Sequence, residues 1–313
     1  MTTRDLRIGT RASQLALHQA NWVKGKLVQV YPHLKVTLIR IKTKGDKIQN
    51  VPLAKIGGKG LFVKEIEEAL IERRIDLAVH SIKDVPTELP EGLHLSVITK
   101  REDPRDAFIS KDGRLLKDLP QGAKIGTSSL RRQAQLLHLR SDFEMIPLRG
   151  NLDTRLKKLE TMNLNGIVLA LAGVRRLGLE SRITEIIPPE ISLPAIGQGA
   201  LGIETRMGDE QVEEFIQFLN HPSSSITITA ERAFLKRLGG GCQVPIAAFG
   251  RMVGSTLQID GMVGTTDGKT LVRHHIEGPV EEATSLGIQL AEVLVSKGAG
   301  EILEEVYKTS SLG

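Results

Sequence analysis

Lys124-Ile125-Gly126-Thr127-Ser128-Ser129-Leu130-Arg131-Arg132 joins a strand to a helix and carries the chain's structural grammar in nine residues. A short apolar strand at 124–126 runs through a glycine and three hydroxyls into an apolar-periodic helix at 128–139. Hydroxyls at such a turn cap the helix, and its free backbone N–H groups point at whatever lies beyond the strand end. The same grammar opens the chain. Arg7-Ile8-Gly9-Thr10 continues a strand at 6–9, and a helix at 13–30 follows with Leu17, Ala20 and Val23 at helical spacing. Working outward, strands at 36–41 and 77–79 flank a helix at 61–71 that carries Phe62, Ile66, Ala69 and Leu70 on one face. Strands at 144–148 and 167–171 flank a helix at 151–160. This alternation predicts parallel sheets with covered faces, and the shared letters predict two similar α/β lobes, each doubly wound.

Two segments break the pattern. Residues 43–60 form an insertion with Gly45, Gly57, Gly58 and Gly60 among Lys44, Lys47, Lys55 and Lys59. A long Gly-rich loop in a compact domain reads as a lid or as a solvated loop. After His221-Pro222 come a helix at 225–238 and strands at 244–252, 257–263 and 271–276, with Thr266-Asp267-Gly268 as a hairpin turn. Helices at 280–297 and on to 307 close what reads as a small α+β domain with a three-stranded antiparallel sheet.

The 313 residues suit two or three domains. Hydrophobic residues make up 40% and charged ones 25%, as in an ordinary soluble domain, while 3% aromatics leave an aliphatic core. The N-terminal residues lack the apolar run of a signal peptide, no stretch suits a membrane span, and one cysteine makes no internal disulfide. A cytoplasmic location is the expectation. A net charge of +5, from 42 basic and 37 acidic residues, is compatible with an acidic small molecule or with weak nucleic-acid binding. Scarce aromatics count against base stacking.

Chemistry concentrates at strand ends. Arg131 and Arg132 in the first turn of a helix oppose its macrodipole by about 0.3–1 kcal/mol, which a bound anion would offset; plain capping with solvated arginines is the alternative. Thr10-Arg11-Ala12-Ser13 repeats the arrangement, and Leu148-Arg149-Gly150-Asn151, Arg155 and Gly173-Val174-Arg175-Arg176 add further arginines after strands. Arginine forks match carboxylates, so a substrate with several carboxylates is expected; phosphates fit equally by charge. In Val79-His80-Ser81-Ile82-Lys83-Asp84-Val85-Pro86, Asp84 is either a carboxylate kept ionised by cations, able to steer protons, or a turn residue before proline. Cys242 follows Gly239-Gly240-Gly241, which permits close approach by another group; an inert buried thiol is the alternative. No cluster has metal-ligand spacing, and no Walker, G-x-G-x-x-G or G-x-S-x-G motif occurs.

Glu231-Arg232 with Gly240-Gly241-Cys242-Gln243-Val244-Pro245-Ile246 resembles the cofactor-attachment signature of the porphobilinogen deaminase family. Leu53-Ala54-Lys55-Ile56-Gly57-Gly58-Lys59-Gly60-Leu61-Phe62, the blocks at 80–86, 101–107, 126–132 and 148–151, and Leu193-Pro194-Ala195-Ile196-Gly197-Gln198-Gly199 resemble further family blocks, in family order. Ile82 stands where Met or Leu is usual, and Leu152 where Val is common. The resemblance implies condensation of four porphobilinogen molecules into linear hydroxymethylbilane, with release of ammonia, by a monomer that needs neither nucleic acid nor membrane. It implies a dipyrromethane cofactor held by a thioether to Cys242, with no metal. Asp84 would be catalytic. Ser81, Lys83, Asp84, Thr127, Ser128, Ser129, Arg131, Arg132 and Arg176 would hold the cofactor. Arg11, Ser13, Lys55, Lys59, Phe62, Arg149, Asn151, Arg155 and Gln198 would contact substrate, with 43–60 as a lid. The implied fold pairs two lobes resembling periplasmic binding proteins (1–99 with 200–219, and 100–199) with a cofactor-anchoring domain at 220–313. Two other readings stay open on the residues alone: a two-lobed polyanion-binding protein without catalysis, and a basic nucleic-acid-binding module.

Overall fold

The computed structural model describes residues 5–47, 60–241 and 244–311. A first run comprises β1 (Asp5–Arg11), α1 (Gln14–Val30), β2 (Lys35–Ile41), α2 (Lys64–Ile71), β3 (Leu77–Ser81) and β4 (Leu93–Ile98). A second comprises β5 (Asp106–Ser110), β6 (Lys124–Gly126), α3 (Leu130–Leu139), β7 (Glu144–Ile146), α4 (Leu152–Thr161), β8 (Gly166–Ala170), α5 (Leu171–Arg176) and β9 (Glu185–Ile187). Then follow β10 (Leu201–Arg206), α6 (Glu210–Ile216), α7 (Pro222–Arg237), β11 (Ile246–Val253), β12 (Thr256–Gly264), β13 (Leu271–Pro279), α8 (Ala283–Leu294) and α9 (Gly300–Ser311).

The fold is mixed α/β, with two five-stranded sheets ordered β2-β1-β3-β10-β4 and β7-β6-β8-β5-β9 and an antiparallel sheet β11-β12-β13. The expected parallel pairing holds for β1 with β2 and β3, and for β6 with β7 and β8. The sheets are nevertheless mixed, with antiparallel strands beyond the parallel pairing that the alternation predicts. β10 runs antiparallel to β3 and β4, and β5 antiparallel to β8 and β9. β10 comes from beyond the second run, and β5 precedes its own lobe's strand–helix units. Local alternation cannot reveal such pairing, because it joins residues far apart in the chain.

The Ile-Gly-Thr repeat has a steric cause. A Cβ on Gly9 would collide with the Ile75 side chain, and one on Gly126 would lie 2.9 Å from Ile167. Glycine therefore lets a neighbouring apolar side chain close over each strand end. α1 begins where Ser13 Oγ accepts from Ala16 N at 3.3 Å, and it ends at Tyr31 before Pro32, which disfavours helical backbone in the residue preceding it. Its buried stripe, Ala20, Val23 and Leu27, covers Leu6, Ile8, Leu77 and Val79 on one sheet face. α2 covers the other face with Ile66, Ala69 and Leu70 against Ile75 and Ala78. Burying each large aliphatic side chain contributes at most about 1.5–3 kcal/mol.

The described residues separate into two compact units, 5–47 with 60–102 and 200–225, and 103–199 with 226–311. The second unit holds both the second five-stranded sheet and the three-stranded one. Gln133 Nε2 donates to Thr266 O at 3.0 Å, and Leu193 packs with Ala247 and Met262.

Candidate active site

In the first unit, β1 and β3 are parallel, so their C-terminal ends share one edge, the usual place for ligands in such sheets. Arg11, Ser13, Gln19, Phe62, His80, Ser81 and Asp84 line a pocket there. A 3-10 turn, Ile82–Asp84, follows β3 and is closed by Val85 N donating to Ile82 O at 3.0 Å. It leaves Lys83 and Asp84 half-buried. Gln19 Nε2 donates to Ser81 Oγ at 3.0 Å. The Arg11 guanidinium lies 4.3 Å from the Phe62 ring centre and bonds Asp46. Burial raises the Asp46 pKa, but the hydrogen bond and charge of Arg11 outweigh it and hold the carboxyl below its ordinary value. Within the loop at 43–60, Lys44–Lys47 forms a helical turn, and Thr43 Oγ1 donates to Asp46 at 2.8 Å.

In the second unit, β6 is parallel to β7 and β8, so three strand-to-helix turns meet at one edge. Thr127 N donates to Ile146 O at 2.9 Å, and Ser129 N donates to Thr127 Oγ1 at 3.1 Å. Ser129 Oγ caps α3 by accepting from Arg132 N. Ser128 Oγ is buried with no hydrogen-bond partner. After β7, Gly150 takes φ +116°, where a Cβ would meet Thr154 at 2.7 Å. This turn places Arg149 half-buried, with Nη1 unpartnered and its pKa lowered by burial. Asn151 is the exposed N-cap residue of α4, without a side-chain cap bond. Arg155 Nε donates to Gly150 O at 2.8 Å, and Arg176, from α5, donates to Gly199 O at 2.6 Å.

Arg131 and Arg132 are each 5% exposed, so neither is solvated, and a protein carboxylate supplies an anion for them. Asp106, at the start of β5, accepts from Arg131 Nη1 and Arg132 Nη2 at 2.8 Å each, from Gln198 Nε2 at 2.9 Å and from Ser192 Oγ at 3.1 Å. Burial raises its pKa, yet the two guanidiniums hold it far below the ordinary carboxylate range. Arg131 also donates to Leu193 O, Arg132 to Val168 O and Gln198 to Pro104 O. Arg132 keeps one buried unpartnered donor, Nε.

The structure thus gathers Arg11, Ser13, Phe62, Ser81 and Asp84 in one pocket. In the other unit it gathers Thr127, Ser128, Ser129, Arg131, Arg132, Arg149, Asn151 and Arg155 at one sheet edge, with Arg176 after β8. Cys242, Lys55 and Lys59 lie outside the described residues. Sequence reasoning did not single out Gln19, Asp46 or Asp106. Gln19 had a readable signal, a polar residue beside the apolar stripe of α1. Asp106 lies within Arg101–Ala107, where neither spacing nor residue type assigns it a role.

One family model, described as "Porphobilinogen deaminase, dipyromethane cofactor binding domain", matches residues 6–214. A second, "Porphobilinogen deaminase, C-terminal domain", matches 225–296. The chain belongs to the porphobilinogen deaminase family. The porphobilinogen deaminase of Geotalea daltonii is 59% identical over 308 residues, covering 98% of this chain and 96% of its own. That of Geobacter metallireducens is also 59% identical, with the same coverage. Among solved structures, the methionine binding protein MetQ aligns with a TM-score of 0.43 and 14% identity over 68% of this chain and 89% of its own. The aliphatic sulphonate binding protein SsuA from Escherichia coli gives 0.40 and 15% over 75% and 70%.

The residues present fit the group named in the porphobilinogen deaminase model. A dipyrromethane bearing several carboxylates needs donors, and Arg149 Nη1, Arg132 Nε and Ser128 Oγ are buried donors without partners at strand ends.

Proposed function

We propose that this chain is a hydroxymethylbilane synthase, condensing four porphobilinogen molecules head to tail with loss of ammonia and releasing the linear product by hydrolysis. The observation that carries the reading is the first unit's pocket. It joins a carboxylate, Asp84, to an oriented guanidinium, Arg11, and to the hydroxyls of Ser13 and Ser81 at the C-terminal edge of parallel strands. Dipyrromethane, when bound, supplies the pyrrole carbon on which the chain is extended. Its thioether attachment to Cys242 is supported by the Gly-Gly-Gly-Cys stretch and its resemblance to the family's cofactor-attachment signature.

Asp84 stabilises the positive charge that develops on the substrate as ammonia leaves, and holds a proton at its carboxylate oxygens in the complementary step. Arg11, oriented by Asp46 and Phe62, clamps a substrate carboxylate with Ser13. In the second unit, Arg149, Ser128 and Arg132 retain free donors for carboxylates. Ser81, Lys83, Thr127, Ser129, Arg131 and Arg176 complete the cofactor-holding set. Asn151, Arg155, Gln198 and Phe62, together with Lys55 and Lys59 of the loop, complete the substrate set, with 43–60 acting as a lid. Asp106 keeps Arg131, Arg132 and Gln198 in place. No helix among the described residues is long and apolar enough to cross a membrane. On this reading the protein works as a cytoplasmic monomer on free porphobilinogen, with neither nucleic acid nor membrane as partner and without a metal.

Intact-protein mass spectrometry combined with a porphobilinogen-consumption assay tests both parts. Expected are turnover of porphobilinogen and a mass exceeding the chain by two linked pyrrole rings, shifted to Cys242 in the peptide map. An unmodified mass in active protein would overturn the attachment, and absent turnover in loaded protein the activity.

A further inference from the structure

Between α2 and the sheet face it covers lie Glu67, His80 and Glu204, titratable side chains that the reaction scheme leaves unused. His80 on β3 pairs across from Gly202 on β10, and Ala78 from Glu204, so His80 and Glu204 project to the same face as Ala78. That face is covered by α2, whose buried side includes Glu67. His80 Nε2 lies 2.9 Å from Glu204 Oε2. Neither atom has an aligned hydrogen-bond partner, and Glu204 Oε1 and Glu67 Oε1 are likewise buried and unpartnered. The three residues are 6%, 0% and 7% exposed. Two buried carboxylates and one imidazole cannot hold two uncompensated negative charges without a proton or a further cation.

Few cations are near. Arg206, two residues along β10, is committed to Asp209, at 2.7 Å, and to the carbonyls of Leu70 and Ile75. Asp76 is held by Arg7. His94 on β4 lies opposite Thr205, on the other sheet face, and pairs with Glu213. On α2 itself, Glu68 adds negative charge. Burial first, then the charge of Glu204, push the Glu67 pKa up to about 7, with His80 pulling the other way.

His80 links this cluster to the pocket, because it also lines the wall that carries Ser81 and Asp84. We propose that Glu67, Glu204 and His80 form a buried proton store behind the pocket, and that its charge sets the field in which Asp84 works. The significance for turnover rests on the functional reading above. Loss of the Glu67 proton breaks one O–H bond, releases the proton to solvent and leaves one extra negative charge behind the pocket. These three are positioning residues, acting on the reaction through Asp84.

Glu67→Gln mimics the protonated acid and locks the store in its low-pH state. Infrared titration of the protein as purified should show a protonated-carboxyl band that disappears with a midpoint near 7 and is missing in Glu67→Gln. The kcat–pH profile for porphobilinogen should carry a limb near the same pH that Glu67→Gln loses, with KM at the optimum changed less than about threefold. A carboxyl band titrating only in the ordinary acid range, or a limb that survives in Glu67→Gln, overturns the proposal. The infrared reading needs no turnover. A band that behaves as expected in protein unable to consume porphobilinogen would overturn the functional reading and the coupling to Asp84 together, leaving the store itself standing.

Discussion

Asp84 and Asp106 are both single carboxylates near arginines, and their surroundings give them opposite work. Asp84 is half-buried in a pocket wall, whereas Asp106 is fully buried under two guanidiniums, an amide and a hydroxyl. Asp84→Asn keeps the size of the side chain and removes its charge. Steady-state kinetics with porphobilinogen should show kcat reduced by about 10²–10⁴ with KM little changed. Asp106→Asn instead leaves two buried guanidiniums without their anion, and urea unfolding should register a loss of about 3–5 kcal/mol. Because the folded pKa of Asp106 lies far below its ordinary value of 3.8, its contribution is complete above that pH and declines as acid titrates it. The variant should therefore lose less stability than the parent on acidification. The need of Arg131 and Arg132 for an anion was legible from their place in the first helical turn. Its source was not, because Asp106 is separated from Arg131 by 25 residues and meets it only through sheet packing.

Elements aim these residues, and the turns between elements carry the precision. Gly150→Ala puts a Cβ into Thr154 at a φ that L side chains rarely adopt. The turn must shift, and with it Arg149, so KM for porphobilinogen should rise several-fold while stability falls by about 1–3 kcal/mol. α2 bears the cost of Glu67. Between the unfolded value near 4.5 and the folded value of about 7, the native state binds more protons than the unfolded chain, so stability falls as pH rises through that window. Denaturant titrations at several pH values should show this decline, amounting to about 1–3 kcal/mol, and Glu67→Gln should remove it. Helices α1 and α3 were readable from capping hydroxyls and apolar spacing. β4, β5, β9 and β10 are not legible from periodicity: β5 is buried along Asp106–Ile109 without alternation, and β10 alternates Gly202, Glu204 and Arg206 with Leu201, Ile203 and Thr205 in a strand that is almost wholly buried.

At the scale of the whole molecule, the chain leaves its first unit after residue 102 and returns to it at 200. β10 then sits between β3 and β4, which have no other link within the sheet. A chain stopped after Gly199 should consequently lack cooperative unfolding of the first unit, as followed by circular dichroism. The strand–helix grammar, the repeat of Ile-Gly-Thr and the family blocks are written in the sequence, because these are local properties of spacing and side-chain type. It also marked Asp84, Arg11 and Arg149 as residues at strand ends. The mixed pairing of both sheets, the engagement of two expected anion-binding arginines by Asp106, and the shared buried face of Glu67, Glu204 and His80 arise only on folding. Those outcomes depend on which distant strands pair and which groups lose water together, and burial and charge compensation are settled only when the chain has folded.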